Sequence, residues 1–247
     1  MSIDVIFLGL DGVLFDTETA HLAACNAAFA GAGLSLCWDA RALRHAVATH
    51  GYARAIDGAL PPTMPARDRK RAAAMVQRMA DDKHREFHHA IVTAPPKALP
   101  AALALIDAAI ADGCKICILT DLPAATASAL LSNAFGTDVN SRFTVVTGGA
   151  SFDAPAATGP YARALHAIGV QASDAIAIDA GAPALRAAES AGLWTVSIAP
   201  ARHGADVVRP RQFITYDALR ELHASPYSHP APSPSPAPAA APRKLAA

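Results

Sequence analysis

The sequence predicts an α/β fold, with a Rossmann-like parallel sheet and a helical segment inserted after the first strand. Over the second half of the chain, short apolar runs alternate with helices of about ten residues, a pattern typical of βαβ units. Between residues 17 and 93 apolar side chains recur at helical spacing and no strand is predicted. We therefore expect an α/β core from residues 1–16 and 94–223, and a helical cap from residues 17–93.

Each element is predicted from a local signal. The run at 5–10 is apolar on both faces, as in buried parallel strands, and it ends in the turn dipeptide Asp11-Gly12. Further strands are predicted at 115–120, 143–146, 175–178, 194–198 and 213–215. Helices are predicted at 103–111, 124–135, 161–168 and 183–190. Ligands of such sheets bind outside the carboxyl ends of the strands, so the functional site is expected there.

The remaining segment, 224–247, is rich in proline, alanine and serine. Such a composition cannot bury a core, and it predicts a flexible, disordered tail with some polyproline character.

Composition excludes several classes of partner. Of the 247 residues, 52% are hydrophobic and 17% are charged, which is a globular composition. Lysine plus arginine and aspartate plus glutamate number 21 each, so the formal net charge is zero, and neither nucleic acid nor an anionic membrane is expected as a partner. The apolar runs are shorter than the ~20 residues of a membrane span. The N-terminus has no basic region followed by an apolar stretch, so we expect no secretory signal and a cytoplasmic location.

Cys114 and Cys117 form a C-x-x-C sequence. The pair falls in a predicted strand, where positions three apart point to opposite faces. We therefore expect two core cysteines here and no redox pair.

Residues 7–18, Phe-Leu-Gly-Leu-Asp-Gly-Val-Leu-Phe-Asp-Thr-Glu, resemble the first motif of haloacid dehalogenase hydrolases, usually F-D-x-D-G-T-L-x-D-T-E. The sequence is most similar to the CbbY group, sugar-bisphosphate phosphatases that act on xylulose-1,5-bisphosphate, and to β-phosphoglucomutase. Similar stretches follow at 118–120, 177–179 and 185–193, so the resemblance covers residues 3 to about 222. It implies phosphoryl transfer through an aspartyl phosphate with the help of Mg²⁺.

The resemblance also assigns roles to positions, and some hold residues that cannot perform them. The nucleophile position holds Gly9, which has no side chain. Asp11 matches the general acid/base, and Thr120 matches the hydroxyl that contacts the phosphoryl group. In the fourth motif Asp179 matches the outer acidic position, whereas Ala180 occupies the position of a metal ligand.

The family's phosphate-binding lysine is missing as well. It is expected shortly before Tyr161, but residues 153–160 include no lysine, and there is none between Lys115 and Lys244. Because both side-chain positions for metal ligands also lack oxygen, no cofactor is expected.

Other candidate residues lie in the helical segment from 17 to 93, here called the insert. By resemblance, His21 faces the cleft and Arg54 lies in the cap loop whose basic residues hold the distal phosphate, so both are candidates for substrate binding. His84 and His88 have a spacing that can bind Zn²⁺ on a helix, but without a third ligand they are expected, with His89, on a solvated helix face.

Two functions stay open. The one favoured on chemical grounds is a catalytically inactive protein of the sugar-phosphate phosphatase family, which retains at most weak binding of phosphate or a sugar phosphate. The alternative is an active Mg²⁺-dependent sugar-bisphosphate phosphatase that uses non-standard residues. In both cases the expected partner is a small phosphorylated metabolite, and no protein partner is predicted.

Overall fold

A computed structural model describes residues 3–59, 66–198 and 214–224, with the backbone alone for 66–71. Its strands are Val5–Leu8 (β1), Lys115–Leu119 (β2), Val145–Thr147 (β3), Ala175–Asp179 (β4) and Trp194–Ser197 (β5). They form a parallel sheet in the order β3-β2-β1-β4-β5. The predicted α/β class with a parallel sheet is therefore confirmed.

Four of the described helices lie between β1 and β2, and from β2 onward helices separate the successive strands. They are Glu18–Gly31 (α1), Ala40–His50 (α2), Ala66–Thr93 (α3), Pro100–Ala111 (α4), Ala124–Phe135 (α5), Val139–Arg142 (α6), Pro160–Ile168 (α7), Ala182–Ser190 (α8) and Tyr216–Ala224 (α9). Short 3₁₀ turns lie at Ala55–Ala59, Gly136–Asp138, Ala156–Thr158 and Ala172–Asp174. Within the described ranges, no helix is both long enough and apolar enough to cross a bilayer.

The sheet is buried on both faces, as its apolar strands predict. In β1, Ile6 and Leu8 belong to one apolar cluster, which includes residues of α4, α5 and α9. Val5 and Phe7 belong to a second cluster, which includes residues of α7 and α8. This alternation follows from the two-residue period of a strand.

Cys114 and Cys117 are free thiols that belong to different apolar clusters. Burial raises the pKa of Cys114 to about 12 and that of Cys117 to about 11, so both remain protonated at neutral pH. The expectation of two core cysteines is confirmed.

The described elements between β1 and α4 are all helical. Helices α1 and α3 pack along each other, and a third apolar cluster joins α1, α2, the 55–59 turn and α3. The same helices also reach the sheet layer, since α2 contacts α8 and α3 contacts α5. They therefore lie against the carboxyl end of the sheet.

The strand predicted at 213–215 is wrong for its described part. Phe213 lies outside the described residues, and Ile214 and Thr215 belong to no strand. Thr215 instead starts α9: its hydroxyl accepts from the Ala218 N–H at 3.3 Å and its carbonyl from the Leu219 N–H at 3.0 Å. Threonine is a good N-cap residue, and that preference outweighs its strand propensity here. The predicted tail, from residue 225 onward, lies outside the described residues.

Candidate functional site

The first strand ends at a position that carries no side chain, and the space above it is filled. Gly9 follows β1 and donates its N–H to the Ile178 carbonyl at 3.1 Å. A Cβ added at Gly9 would overlap Oδ2 of Asp179, and would lie 2.9 Å from its Cγ and 3.3 Å from Cγ2 of Val13. No side chain can stand at position 9 unless Asp179 moves.

Asp179 ends β4, beside β1, and its carboxyl group turns over Gly9. Its Oδ1 accepts from the Gly181 N–H at 2.6 Å. Burial, together with the charges of Asp121 and Asp11, raises the pKa of Asp179 to about 8. At neutral pH this carboxyl group is therefore largely protonated.

Asp11 lies in the turn after β1 and is buried. Its Oδ1 accepts from the Thr17 hydroxyl at 2.6 Å and from Nε2 of His21 at 3.0 Å. Burial alone would raise the pKa of Asp11, but His21, Thr17 and the charge of Lys83 outweigh it and hold the pKa below its usual value. The site therefore contains an ionised aspartate.

His21 is fully buried and does not line the cavity. Its ring stacks on Phe87 with centroids 3.8 Å apart and on Tyr52 with centroids 4.5 Å apart. Burial and the charge of Lys83 lower the pKa of His21 to about 4, so the ring is neutral at neutral pH and its Nε2–H serves as the donor to Asp11. Its Nδ1 is buried, and no described residue lies within hydrogen-bond distance of it.

Sequence reasoning missed Lys83, which is fully buried on α3. Its Nζ donates to the Tyr52 carbonyl at 2.6 Å, and Asp11 and Asp121 favour its charged form. Burial nevertheless lowers the pKa of this ammonium. A signal was available, because Met79, Lys83, Phe87 and Ile91 recur every four residues and all are buried. The lysine thus lies in the middle of the apolar stripe of α3.

The end of β2 supplies two further polar groups. Thr120 is buried, and its hydroxyl accepts from the Leu122 N–H at 3.2 Å. Asp121, which the sequence analysis did not single out, lies beside it. Burial and the charge of Asp11 raise the pKa of Asp121 to about 6. The carboxyl ends of β1, β2 and β4 thus bring together the carboxyl groups of Asp11, Asp121 and Asp179, while Lys83 lies behind them on α3.

The space between these groups is small. A cavity of about 30 Å³ is lined by twelve residues from the strand ends and the insert, among them Gly9, Asp11, Tyr52, Thr120 and Asp179. That volume holds about two water molecules, whereas small-molecule pockets usually measure about 300–1,000 Å³. No sugar phosphate fits while the insert lies in this position.

Arg54 lies outside this cavity and is exposed. Its Nε donates to Oδ2 of Asp57 at 2.9 Å, and its Nη1 donates to Oδ2 of Asp153 at 2.6 Å. The candidate phosphate-binding arginine is therefore already paired with two carboxylates of the chain.

The predicted solvated face of α3 is wrong for two of its three histidines. His84 is half-buried, with Nε2 at 3.1 Å from the Ala53 carbonyl. His88 is half-buried too, with Nδ1 at 3.0 Å from the Thr126 hydroxyl. His89 is exposed, as predicted. The histidine pair thus contacts the loop that begins at residue 51 and the helix α5, because this face of α3 packs against both.

The donor set does not suit a divalent cation. Gly9 and Ala180 offer no side-chain oxygen, and Asp179 holds a proton at neutral pH. Hard cations such as Mg²⁺ require several oxygen ligands, of which carboxylates are the strongest. Across the described part of the chain, no three His, Cys, Asp or Glu side chains are grouped so that they could hold a metal ion.

Known proteins share both the sequence pattern and the fold. The family model for haloacid dehalogenase-like hydrolases matches residues 3–192. The plasmid-encoded CbbY protein of Cupriavidus necator is 30% identical over 204 residues, which cover 77% of this chain and 76% of that protein. CbbY of Rhodobacter capsulatus is 26% identical over 205 residues, covering 79% of this chain and 85% of that protein.

Solved structures agree with this assignment at the level of the fold. CbbY of Rhodobacter sphaeroides in complex with phosphate has a TM-score of 0.64 at 23% identity, covering 85% of this chain and 92% of that chain. A variant of the same protein in complex with xylulose-1,5-bisphosphate has a TM-score of 0.66 at 23% identity, covering 89% and 96%. From the family match, the curated relatives and the shared fold together, we conclude that this chain belongs to the haloacid dehalogenase-like hydrolase family and is CbbY-like.

Proposed function

We propose that this CbbY-like protein does not catalyse phosphoryl transfer and acts by binding a small phosphorylated metabolite. The observation that carries the proposal is at position 9. The attacking oxygen of the family would stand there, and this chain has a glycine whose side-chain space is filled by the carboxyl group of Asp179. Without a covalent nucleophile the two-step reaction has no first step.

The protonation states support the same proposal. A general acid works best with a pKa near the operating pH, but the contacts of Asp11 hold its pKa below the usual value. Asp179 holds a proton at neutral pH and is a poor nucleophile in that form. The donor set also argues against Mg²⁺, so we propose that the protein requires no metal cofactor.

The ligand class follows from the relatives. The CbbY structures named above contain phosphate or xylulose-1,5-bisphosphate. We propose that residues 17–93 form a cap over a core from residues 1–16 and 94–223, and that the cap opens to admit a phosphorylated metabolite. Thr120 on the core and Arg54 on the cap would then contact the ligand.

One observation favours the alternative of an active phosphatase. The carboxyl group that fills the space above Gly9 belongs to Asp179, which is therefore the residue best placed to replace the lost nucleophile. Since burial raises the pKa of Asp179 to about 8, such an activity would increase as the pH rises toward 8.

A phosphate-release assay distinguishes the two functions. Wild type, Asp11→Asn and Asp179→Asn are compared on a panel of sugar phosphates that includes xylulose-1,5-bisphosphate, with and without Mg²⁺, at pH 7 and above pH 8. We expect all three proteins to release phosphate at the same background rate. Mg²⁺-dependent turnover that disappears in Asp11→Asn would overturn the proposal. If the same turnover also disappears in Asp179→Asn, Asp179 is the nucleophile.

A further inference from the structure

The loop formed by residues 51–54, here called the clasp loop, is held at every residue. Gly51 has a φ of +78° and lies so close to the core that an added Cβ would be 3.1 Å from Oδ2 of Asp121 and 3.8 Å from Cγ of Pro183. The clasp loop therefore rests directly on the ends of the core elements, and its first residue allows no side chain there.

The two middle residues of the clasp loop are fixed from the opposite side. The Tyr52 carbonyl accepts from the buried Nζ of Lys83 at 2.6 Å, and the Ala53 carbonyl lies 3.1 Å from Nε2 of His84. Both partners belong to α3, within the insert. These contacts keep the loop attached to the insert, so opening the site requires loop and insert to leave the core together.

The last residue of the clasp loop connects insert and core. Arg54 donates through Nη1 to Asp153, which lies 99 positions away in the loop before α7. Its Nε donates to Asp57, which belongs to the insert. Arg54 thus donates to two carboxylate oxygens through the same N–H groups that could bind two oxygens of a phosphate.

The clasp loop closes a small cavity and is met by carboxylates of the core. The cavity behind the clasp loop measures about 30 Å³, room for about two waters. Two core carboxylates meet the loop: Asp121, in that cavity, lies against Gly51 and accepts from the Ala53 N–H, and Asp153, outside the cavity, pairs with Arg54. An anion that binds the Arg54 guanidinium would therefore compete with Asp153 for it.

We propose that Asp153 is an internal competitor for anions: by pairing with Arg54 it holds the clasp loop closed over the site, which is an autoinhibitory contact. The ligand class that releases this contact is a phosphate or phosphate monoester. The proposal does not depend on whether the chain transfers phosphoryl groups, because it concerns only how the site is kept closed.

Hydrogen–deuterium exchange of the amides at residues 51–54 tests the contact without any ligand. We compare wild type with Asp153→Asn and with the matched control Asp107→Asn, which breaks the separate exposed pair between Asp107 and Arg142. Both side chains of the Arg54–Asp153 pair are exposed, at 61% and 71%, so its loss should accelerate exchange by about two- to fivefold.

Salt sharpens this test. Exposed ion pairs are screened strongly near 1 M salt, where the Debye length is about 3 Å. Exchange at residues 51–54 should therefore speed up with salt in wild type and in Asp107→Asn, but clearly less in Asp153→Asn, which keeps only the Arg54–Asp57 pair. Equal exchange in all three proteins at low salt would overturn the proposal.

A titration with inorganic phosphate, followed by calorimetry, tests the ligand class. Asp153→Asn should bind phosphate about two- to fivefold more tightly than wild type and Asp107→Asn. Arg54→Gln should bind it more weakly than any of the three. An affinity of Asp153→Asn equal to that of wild type would contradict the role of Asp153 as a competitor.

Discussion

At the scale of single residues, the carboxyl group of Asp179 lies so close to Gly9 that it fills the space of a side chain after β1. Neighbouring parallel strands place their carboxyl ends side by side, so the residue after β1 and the last residue of β4 compete for one volume. In this chain the carboxyl group of Asp179 fills that volume. Position 9 can therefore carry a side chain only if Asp179 changes its conformation.

The first prediction concerns the contact between Gly9 and Asp179. Gly9→Ala should destabilise the protein by about 1–3 kcal/mol, because the new methyl group overlaps Asp179. In an Asp179→Ala background the same change should cost much less, and a double-mutant cycle measured by urea denaturation gives the coupling energy. Gly31→Ala is the control: nothing lies within 4 Å of its added Cβ, and alanine favours the helix, so stability should stay equal or rise. If the changes in unfolding free energy at positions 9 and 179 are additive, the new methyl group does not overlap Asp179.

The second prediction concerns the proton on Asp179. The pKa of Asp179 is about 8 in the folded protein, above the ordinary aspartate value of 3.8, so the folded state retains a proton that the unfolded state releases between those values. The contribution of this group to stability is therefore present below pH 4 and decreases as the pH rises to 8, by at most about 1.4 kcal/mol per pH unit. Asp179→Asn should be more stable relative to wild type at pH 8 than at pH 5. A difference that does not change with pH would show that Asp179 is ionised.

At the scale of elements, α3 combines an apolar stripe with one buried charge. Met79, Phe87 and Ile91 pack inward on either side of Lys83, whose ammonium meets the Tyr52 carbonyl. The long helix thereby places a lysine behind Tyr52, close enough to Asp11 and Asp121 for their charges to favour its protonated form. The sequence contains no lysine between Lys115 and Lys244, so the insert supplies the lysine nearest to these carboxyl groups from earlier in the chain.

The third prediction follows from this burial. Lys83→Met should destabilise the protein by about 1–3 kcal/mol, because it removes a buried donor from the Tyr52 carbonyl and a charge that favours ionised Asp11. Adding Asp11→Asn should restore part of that loss. Arg85→Met, which removes an exposed cation two positions away, should change the free energy of unfolding by no more than about 0.5 kcal/mol. Equal effects of the two single changes in chemical denaturation would contradict the account.

The strands and most helices could be predicted because their signals are local. A strand buried on both faces reads as an apolar run, and β1 to β5 appear within two residues of their predicted positions. Helix α9 was missed because Thr215 favours both strands and N-caps, and only tertiary contacts decide between them. The contacts of Arg54 and Lys83 could not be predicted, since Asp153 and Tyr52 lie 99 and 31 positions away.

At the scale of the whole molecule, the fold persists although the chemistry of its site differs. The α/β core depends on apolar strands and helices, and these do not require the residues at positions 9 and 180. Catalysis depends on a few oxygens and one lysine held at the strand ends, so single substitutions can remove it without disturbing the core. The family resemblance therefore predicts the architecture of this chain but does not by itself establish an activity.

The fourth prediction concerns rescue of the site. Gly9→Asp combined with Ala180→Asp would supply the two missing side-chain oxygens, yet it should not restore typical phosphatase rates. The lysine before Tyr161 remains absent, and a side chain at position 9 must first displace Asp179. Steady-state phosphate release on sugar phosphates measures the outcome. Recovery to ordinary rates would show that the lysine is dispensable.

The fifth prediction uses metal binding. A ligand that binds only the folded state raises its stability by about 2.7 kcal/mol at a concentration of one hundred times Kd. Millimolar Mg²⁺ should leave the thermal midpoint of wild type unchanged, because Gly9 and Ala180 supply no ligand oxygen. If Mg²⁺ raises the thermal midpoint of any of these proteins, it should be that of the Gly9→Asp, Ala180→Asp variant. A clear rise in wild type would indicate a metal site that the described residues do not reveal.

Intact-protein mass spectrometry after incubation with Mg²⁺ and acetyl phosphate, followed by an acid quench, tests directly whether this chain has a nucleophile that accepts a phosphoryl group. A family member with its nucleophile in place would form an aspartyl phosphate and gain the mass of a phosphoryl group. We expect the mass of this protein to stay unchanged. A phosphorylated Asp11 or Asp179 would contradict this expectation.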